Sequence, residues 1–384
     1  MPLPAALPVL LGGLVAIAPS LPRTAPVLPT PVDTLRAPPV LEDGSPAPHT
    51  VEVSLTAAET RLSLMPGATT SVFAYNGQIP GPTIVVTEGD RVIVHLRNEL
   101  SDETTVHWHG LHIPWVADGS PFSPLEPGEE STLDFTIPVG TAGTYWYHPH
   151  PDHRTGYQVA KGLYGALIVR ARENPLPPMT EKLIILSDNR FMEDGEVDIE
   201  GRDTPRGRID FENGREGDVL FVNGQVMPTI RIRSGEVQRW RVVNASAARV
   251  YRLAIPGHTL LHIGSDGGLF EHPVPVDEIL VANSERVELL VRGTGDPGTT
   301  AVLQDLPYDR YIPQTRPAEW KTTRDILTLA YEDAPPVEPP AIPETLRPVP
   351  ALDTMDVAAR RVMSLTQGFI NGKTMDLSRV DETA

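Results

Sequence analysis

Along most of the chain, short apolar stretches rich in β-branched residues are interrupted by Gly and Pro. Ile84-Val85-Val86 and residues 91–96 are typical, bounded by Pro80-Gly81-Pro82 and Glu88-Gly89-Asp90. Such runs read as strands. The same pattern predicts strands over residues 130–137, 143–147, 166–170, 183–186, 285–291 and 325–330. No convincing 3.6-residue period is present, so the expected class is all-β, built as sandwiches or barrels.

The pattern also repeats. Residues 73–98 and 221–244 each carry an Asn-Gly-Gln triplet, a Pro-Thr-Ile step, a Gly-acid turn, a strand-like run and a closing Asn. The landmark asparagines are Asn76 and Asn223, and a weaker third copy opens at Phe369-Ile370-Asn371-Gly372. Spacings of 147 and 148 residues indicate a three-fold array of homologous units. Each Asn-Gly pair predicts a tight hairpin turn, because that dipeptide tolerates positive φ. The expected layout is a signal-like segment and Pro-rich linker over 1–49, a first domain over 50–172 and a second over 179–333. A Pro-rich connector over 334–350 and the start of a third domain over 351–384 follow. The first copy needs roughly 95 residues beyond its Asn-Gly turn, so the third is expected to be incomplete within this chain.

Composition narrows the function. The 384 residues include 41 prolines, against a helical protein, and carry 32 Lys+Arg against 50 Asp+Glu, net −18. Such acidity argues against nucleic acid as a partner. There is no cysteine, which excludes disulfides, thiolate catalysis and thiolate metal sites. Residues 5–18 are apolar but too short to span a bilayer, and Ala16-Ile17-Ala18 suits a signal cleavage site. Export to the periplasm or the extracellular space is expected, with no integral membrane span. Residues 19–48 hold nine prolines and read as an extended, mobile linker.

Four of the eleven histidines form two His-x-His pairs, His107/His109 and His148/His150, one toward each end of the first predicted sandwich. On a strand, residues i and i+2 share a face, so each pair offers two imidazoles to a metal. Imidazole suits copper or zinc, and copper has the higher intrinsic affinity. One such pair also suits a packing role, but two in one sandwich point to metal. His95, His112, His153, His258, His262 and His272 lack this pairing and are assigned to packing or solvent.

These residues carry a family resemblance. His107-Trp108-His109-Gly110-Leu111-His112-Ile113-Pro114 resembles the first copper motif of the three-domain multicopper oxidases. His148-Pro149-His150 with Arg154-Thr155-Gly156 and Gln158-Val159-Ala160 resembles the second, in its bacterial laccase-like form. The stretch from Asn76 to Pro82 and Ile263-Gly264-Ser265-Asp266-Gly267 also fit, so the resemblance covers residues 50–384. It implies tandem cupredoxin-like Greek-key β-sandwich or barrel domains, two complete and a third begun. It further implies one-electron oxidation of a small reducing substrate, a phenol or a metal ion, coupled to reduction of O2 to water at a trinuclear copper cluster. Carried over by position, His107 would bind the type 2 copper, and His109, His148 and His150 the type 3 pair. Asp118 would be the acid that supplies protons, its bland alternative being a turn residue before Gly119.

The resemblance fails at the other half of that cluster. The family takes further histidines and the type 1 cysteine from the end of its third domain. Here no histidine follows His272 and no cysteine exists. The expectation is therefore type 2 and type 3 half-sites without a type 1 site, inactive alone unless a partner chain supplies the missing domain. Two other readings compete. One is a non-catalytic cupredoxin-like protein that binds copper or a partner; the weaker one is a zinc hydrolase, which lacks a suitably spaced Glu.

Overall fold

The Asn-Gly turns fold as the dipeptide demands. Asn76, Asn223 and Asn371 have φ of 51°, 51° and 53°, and Gly77, Gly224 and Gly372 have φ of 75°, 73° and 73°. Both central residues are thus left-handed, as a two-residue hairpin turn requires. Each asparagine also clamps the strand beside it. Its side-chain oxygen accepts from the backbone N–H of Thr56 (2.7 Å), Ile185 (2.8 Å) and Ser364 (2.9 Å) respectively. The same side-chain contact therefore recurs in all three copies.

The computed structural model describes residues 34–310, 322–350, 357, 359–366 and 369–373. The first unit contains β1 (Thr50–Leu62), β2 (Thr70–Tyr75), β3 (Gly81–Thr87), β4 (Arg91–Glu99), β5 (His107–His109), β6 (Glu130–Thr136), β7 (Gly143–His148), α1 (Thr155–Lys161) and β8 (Gly165–Arg170). The second contains β9 (Thr180–Asn189), α2 (Pro205–Asn213), β10 (Val219–Val222), β11 (Thr229–Ile232), β12 (Val237–Asn244), β13 (Tyr251–Ala254), β14 (Leu260–Ser265), β15 (Gly268–Val276), β16 (Ile279–Val281), β17 (Arg286–Arg292), β18 (Thr300–Asp305) and β19 (Arg324–Tyr331). A last hairpin joins β20 (Leu365–Thr366) and β21 (Phe369–Ile370). The chain is 43% strand and 5% helix, so it is all-β.

Sheet order makes the repeat explicit. The first unit stacks β2-β1-β4-β6 on β3-β8-β7-β5. The second places β10-β9-β12-β17 and β11-β19-β18-β13 in the corresponding positions, then adds β14-β15 and β16 at the edges. In both, the parallel pairs fall at equivalent places: β1 with β4 and β3 with β8, then β9 with β12 and β11 with β19. Alternation fills each interior. In β4, Val92, Val94 and Leu96 are buried while Arg91, His95 and Arg97 face water. The first core gathers Trp108, Tyr147, Tyr75 and Phe135, and the second Trp240, Tyr251 and Leu327.

Two features depart from the sequence reading. Short helices occur where none was expected: α2 begins with Pro205, and the Thr204 hydroxyl accepts from the Gly207 N–H at 2.9 Å, a local cap that needs no long apolar period. The described part of the linker is also not a free chain. Leu35 N–H donates to Thr229 O in the second unit, and Leu41 N–H to Thr83 O in the first, at 2.8 and 2.9 Å. The signal-like segment lies outside the described residues. Among those residues, no helix is long and apolar enough to cross a membrane.

The two units meet sheet against sheet, with β7 lying on β12, β14, β15 and β17. Trp146, Val159, Tyr164 and Ala166 pack against Ile185, Val243 and Ala245. Beside them Glu288, fully buried, accepts from Arg241 Nη1 (2.8 Å), from Arg239 Nε (2.9 Å) and from the Thr144 hydroxyl of β7 (2.7 Å). Burial alone would raise the carboxyl pKa, but the two guanidiniums outweigh it and hold Glu288 below its ordinary value. Glu181, reached by the same two arginines, is shifted the same way, with burial again opposing. Replacing Glu288 with Gln leaves two buried guanidiniums sharing Glu181 as their remaining carboxylate and costs about 3–5 kcal/mol in urea unfolding of the full chain. Because both carboxylates are depressed, their contribution is complete above the ordinary Glu value of 4.5 and is lost as pH falls below it. Thermal melts of the wild type taken downward from pH 6 show this loss, and E288Q flattens it.

Candidate metal centre

The strand β5 contributes only three residues, and its ladder to β7 fixes the geometry of the site. His107 lies opposite His148, Trp108 opposite Tyr147, and His109 opposite Trp146. Trp108 and Tyr147 point into the core, so His107, His109, Trp146 and His148 share the other face. The two His-x-His pairs are not at opposite ends of the sandwich; strand pairing makes them neighbours. Ring centroids of His107 stand 5.6, 5.4 and 5.5 Å from those of His109, His148 and His150.

Donor atoms of His107, His109 and His148 all lie within 4.8 Å of one another. The closest are His109 Nδ1 and His148 Nε2, 3.1 Å apart. His150 stands at the exposed rim, its backbone N–H donating to the Thr105 hydroxyl at 2.7 Å. Carbonyl oxygens, which only accept, set two of the tautomers. His107 Nδ1 donates to Asp118 O (2.9 Å) and His148 Nδ1 to Pro149 O (2.8 Å). Each ring therefore keeps an Nε2 lone pair for the shared space, as metal-binding imidazoles do.

Electrostatics agree with that use. Burial, then the Arg286 guanidinium and the adjoining imidazoles, push His109 down to about 4. Burial also drives His148 well below the ordinary 6.5. Both rings are neutral at pH 7, the form a metal takes. His107 differs: burial opposes its charge, but Asp118 prevails and raises it. Asp118 Oδ1 lies 3.2 Å from His107 Nδ1 as a charge contact, while the directed hydrogen bond goes to the Asp118 carbonyl. The Oδ1 atom itself is buried and accepts no hydrogen bond.

The loop that delivers Asp118 folds back because the Trp108 indole donates to Ala117 O at 3.1 Å. Gly119 permits the close approach. It has φ of 67°, and a side chain there would collide with Val106 O. The equivalent strands of the second unit, β13 and β18, pair Leu253 with Asp305 and Ala254 with Gln304, so no imidazole cluster forms there. Other histidines are engaged elsewhere: His95 with Glu52 and Thr132, His258 with Tyr331, His262 with Gly264 O and His272 with Glu344 O.

Two participants had gone unrecognised in the sequence. Trp146 stacks on His148 at 4.2 Å and tilts against His109 at 5.2 Å. Its place two residues before His148 on one strand was a usable signal. Arg286 comes from the second unit, and nothing in the spacing links it to the histidines.

A tandem array of Greek-key β-sandwiches with paired imidazoles on one strand pair defines a cupredoxin-like, metal-binding class. Two family models, both described as multicopper oxidase, match residues 56–174 and 142–334. The multicopper oxidase mco of Staphylococcus aureus is 34% identical over 243 residues, which is 62% of this chain and 52% of that protein. The chain thus spans about half the length of such curated relatives. The cell division protein FtsP of Escherichia coli is 29% identical over 354 residues, 91% of this chain and 73% of that one. Among solved structures, the Campylobacter jejuni multicopper oxidase, a metallo-oxidase, superposes with TM-score 0.79 at 30% identity, covering 92% of this chain and 76% of the other. A Pediococcus acidilactici laccase gives 0.78 at 28%, covering 92% and 74%. The chain belongs to the multicopper oxidase family, a family of copper oxidoreductases.

The contact between His107 and Asp118 is testable without metal. In the apoprotein, D118N lowers the His107 pKa, read from its imidazole Cε1–H signal during an NMR titration. An unchanged value would remove Asp118 from the site's electrostatics.

Proposed function

We propose that this chain carries the first-domain half of a multicopper oxidase centre. His107 serves as a type 2 copper ligand, and His109, His148 and His150 serve the type 3 pair. The observation that carries this reading is the convergence of three imidazole donors within 4.8 Å on one strand pair. Copper held there supplies one-electron chemistry, in which a small reducing substrate, a phenol or a metal ion, gives electrons for the reduction of O2 to water. The chain's own residues orient the imidazoles: Asp118 O and Pro149 O fix the rings of His107 and His148, and Trp146 backs His148. The Asp118 carboxyl group, beside His107, would relay protons to the site.

The 384 residues contain no cysteine, so they provide no thiolate type 1 site for rapid electron entry. On its own this chain binds copper without steady oxidase turnover, and a partner chain bearing the thiolate site would complete it. Its apolar N-terminal run supports export to the periplasm or beyond the cell.

A second reading is a cupredoxin-like protein that binds copper or a partner without catalysis. It is favoured by the similarity, over 91% of the chain, to FtsP, a relative named for cell division and not for an oxidase activity. Metal content tests the copper site, and oxygen uptake tests the claim that the chain alone does not turn over. Reconstituted with Cu(II), the purified chain retains copper after desalting, H107A/H109A loses it, and O2 consumption with a phenolic donor stays at background. Steady O2 uptake would overturn the claim of inactivity. A wild type that retains no more copper than the double variant would overturn the copper site itself.

A further inference from the structure

The strand β5, which carries two of the three clustered donors, has an unusual mechanical position. It is the edge of its sheet and joins β7 through only three residue pairs. So short an edge frays unless something else holds it. At its entry the Asp118 loop does so. At its exit, directly after His109, the chain turns at Gly110, where φ is 95°.

That exit is held from the second domain. Arg286, the first residue of β17, is 3% exposed at its side chain. Its Nε donates to Thr144 O on β7 at 3.2 Å, and its guanidinium lies 5.8 Å from the Tyr145 ring. A side chain on Gly110 would collide with Nη2, so the guanidinium fills the space against the turn. The far side of the fork is fixed within the second domain. Nη1 pairs with Asp266 Oδ1 (2.8 Å) and donates to Ser284 O (2.9 Å), while Nη2 donates to Asp266 O (3.3 Å). One rigid fork thus contacts the end of β5 and the start of β7 together.

We propose that Arg286 is a positioning residue for the histidine cluster, through which the copper-free second domain sets the separation of His109 and His148. This deepens the copper reading and rests on it for its consequence, though the geometry itself exists without metal. Lysine reaches the same space with one charged point and lacks the planar fork, so it restores the geometry only in part. Arg249 is the matched comparison. It is a buried arginine of the second domain, 5% exposed at its side chain, bonded to Asp188 and Gly217 O and in no contact with the cluster.

The test uses the full chain with two readouts: long-range imidazole ¹H–¹⁵N spectra of the apoprotein, and calorimetric titration with Cu(II). In R286M the His109 and His148 signals move and Cu(II) affinity falls about tenfold, the usual scale for residues that support metal ligands. R286K gives smaller changes in both. R249M loses stability but leaves the imidazole signals and the affinity as in the wild type. Overlay of the R286M imidazole spectra on those of the wild type overturns the proposal, as does equal disturbance by R249M. Should R286M not fold, R286K decides by the same spectra. A wild type that takes up no Cu(II), with displaced imidazoles in the variants, would sink the copper function and leave the positioning role standing.

Discussion

The site depends on β7 being buried on both faces. One face, with Tyr147, completes the aromatic core of the first domain. The other carries Thr144, Trp146 and His148 and lies against the sheet of the second domain. A strand held in this way cannot slip by one residue without sending histidines into the core and aromatics into the interface. Register, and with it the placing of the ligands, is therefore guaranteed by packing that has nothing to do with metal.

The charges at that interface sharpen the constraint. Glu288 is surrounded by Arg239, Arg241 and the Thr144 hydroxyl, all removed from water. An arrangement of this kind is a poor source of net stability, since desolvation consumes most of the attraction. It tolerates only one alignment of the two sheets, because any shift leaves a buried charge without its counterpart. Among its described residues the second domain holds no imidazole cluster, yet it fixes the frame in which the first domain presents one.

Much of this was legible in the sequence, for physical reasons. Asn76, Asn223 and Asn371 were readable because few residues accept the backbone that a two-residue turn needs. The histidine pairs were readable because a strand alternates faces. What escaped was non-local. Arg286 and Glu288 alternate with Val287 and Leu289 on β17 as residues facing water would, and only the presence of the first domain turns that polar face into a buried one. The adjacency of the two His-x-His pairs escaped for the same reason: 41 residues separate them along the chain, and strand pairing brings them side by side. The helix α2 was missed because its signal was a cap, Thr204 before Pro205, and not an apolar stripe.

The third Asn-Gly turn has a consequence of a different kind. Phe73 and Phe221, just before the first two turns, are 4% exposed, whereas Phe369 before the third is 48% exposed and Ile370 57%. Leu365 and Met363 beside them are also open to water. Among the described residues no other strand pairs with this hairpin, and its edges lie next to exposed apolar side chains. Such an edge is a template for adhesion between molecules. The colloidal behaviour of this chain is then a contest between one sticky hairpin and a surface whose net charge of −18 keeps copies apart, a contest that added salt tilts toward adhesion.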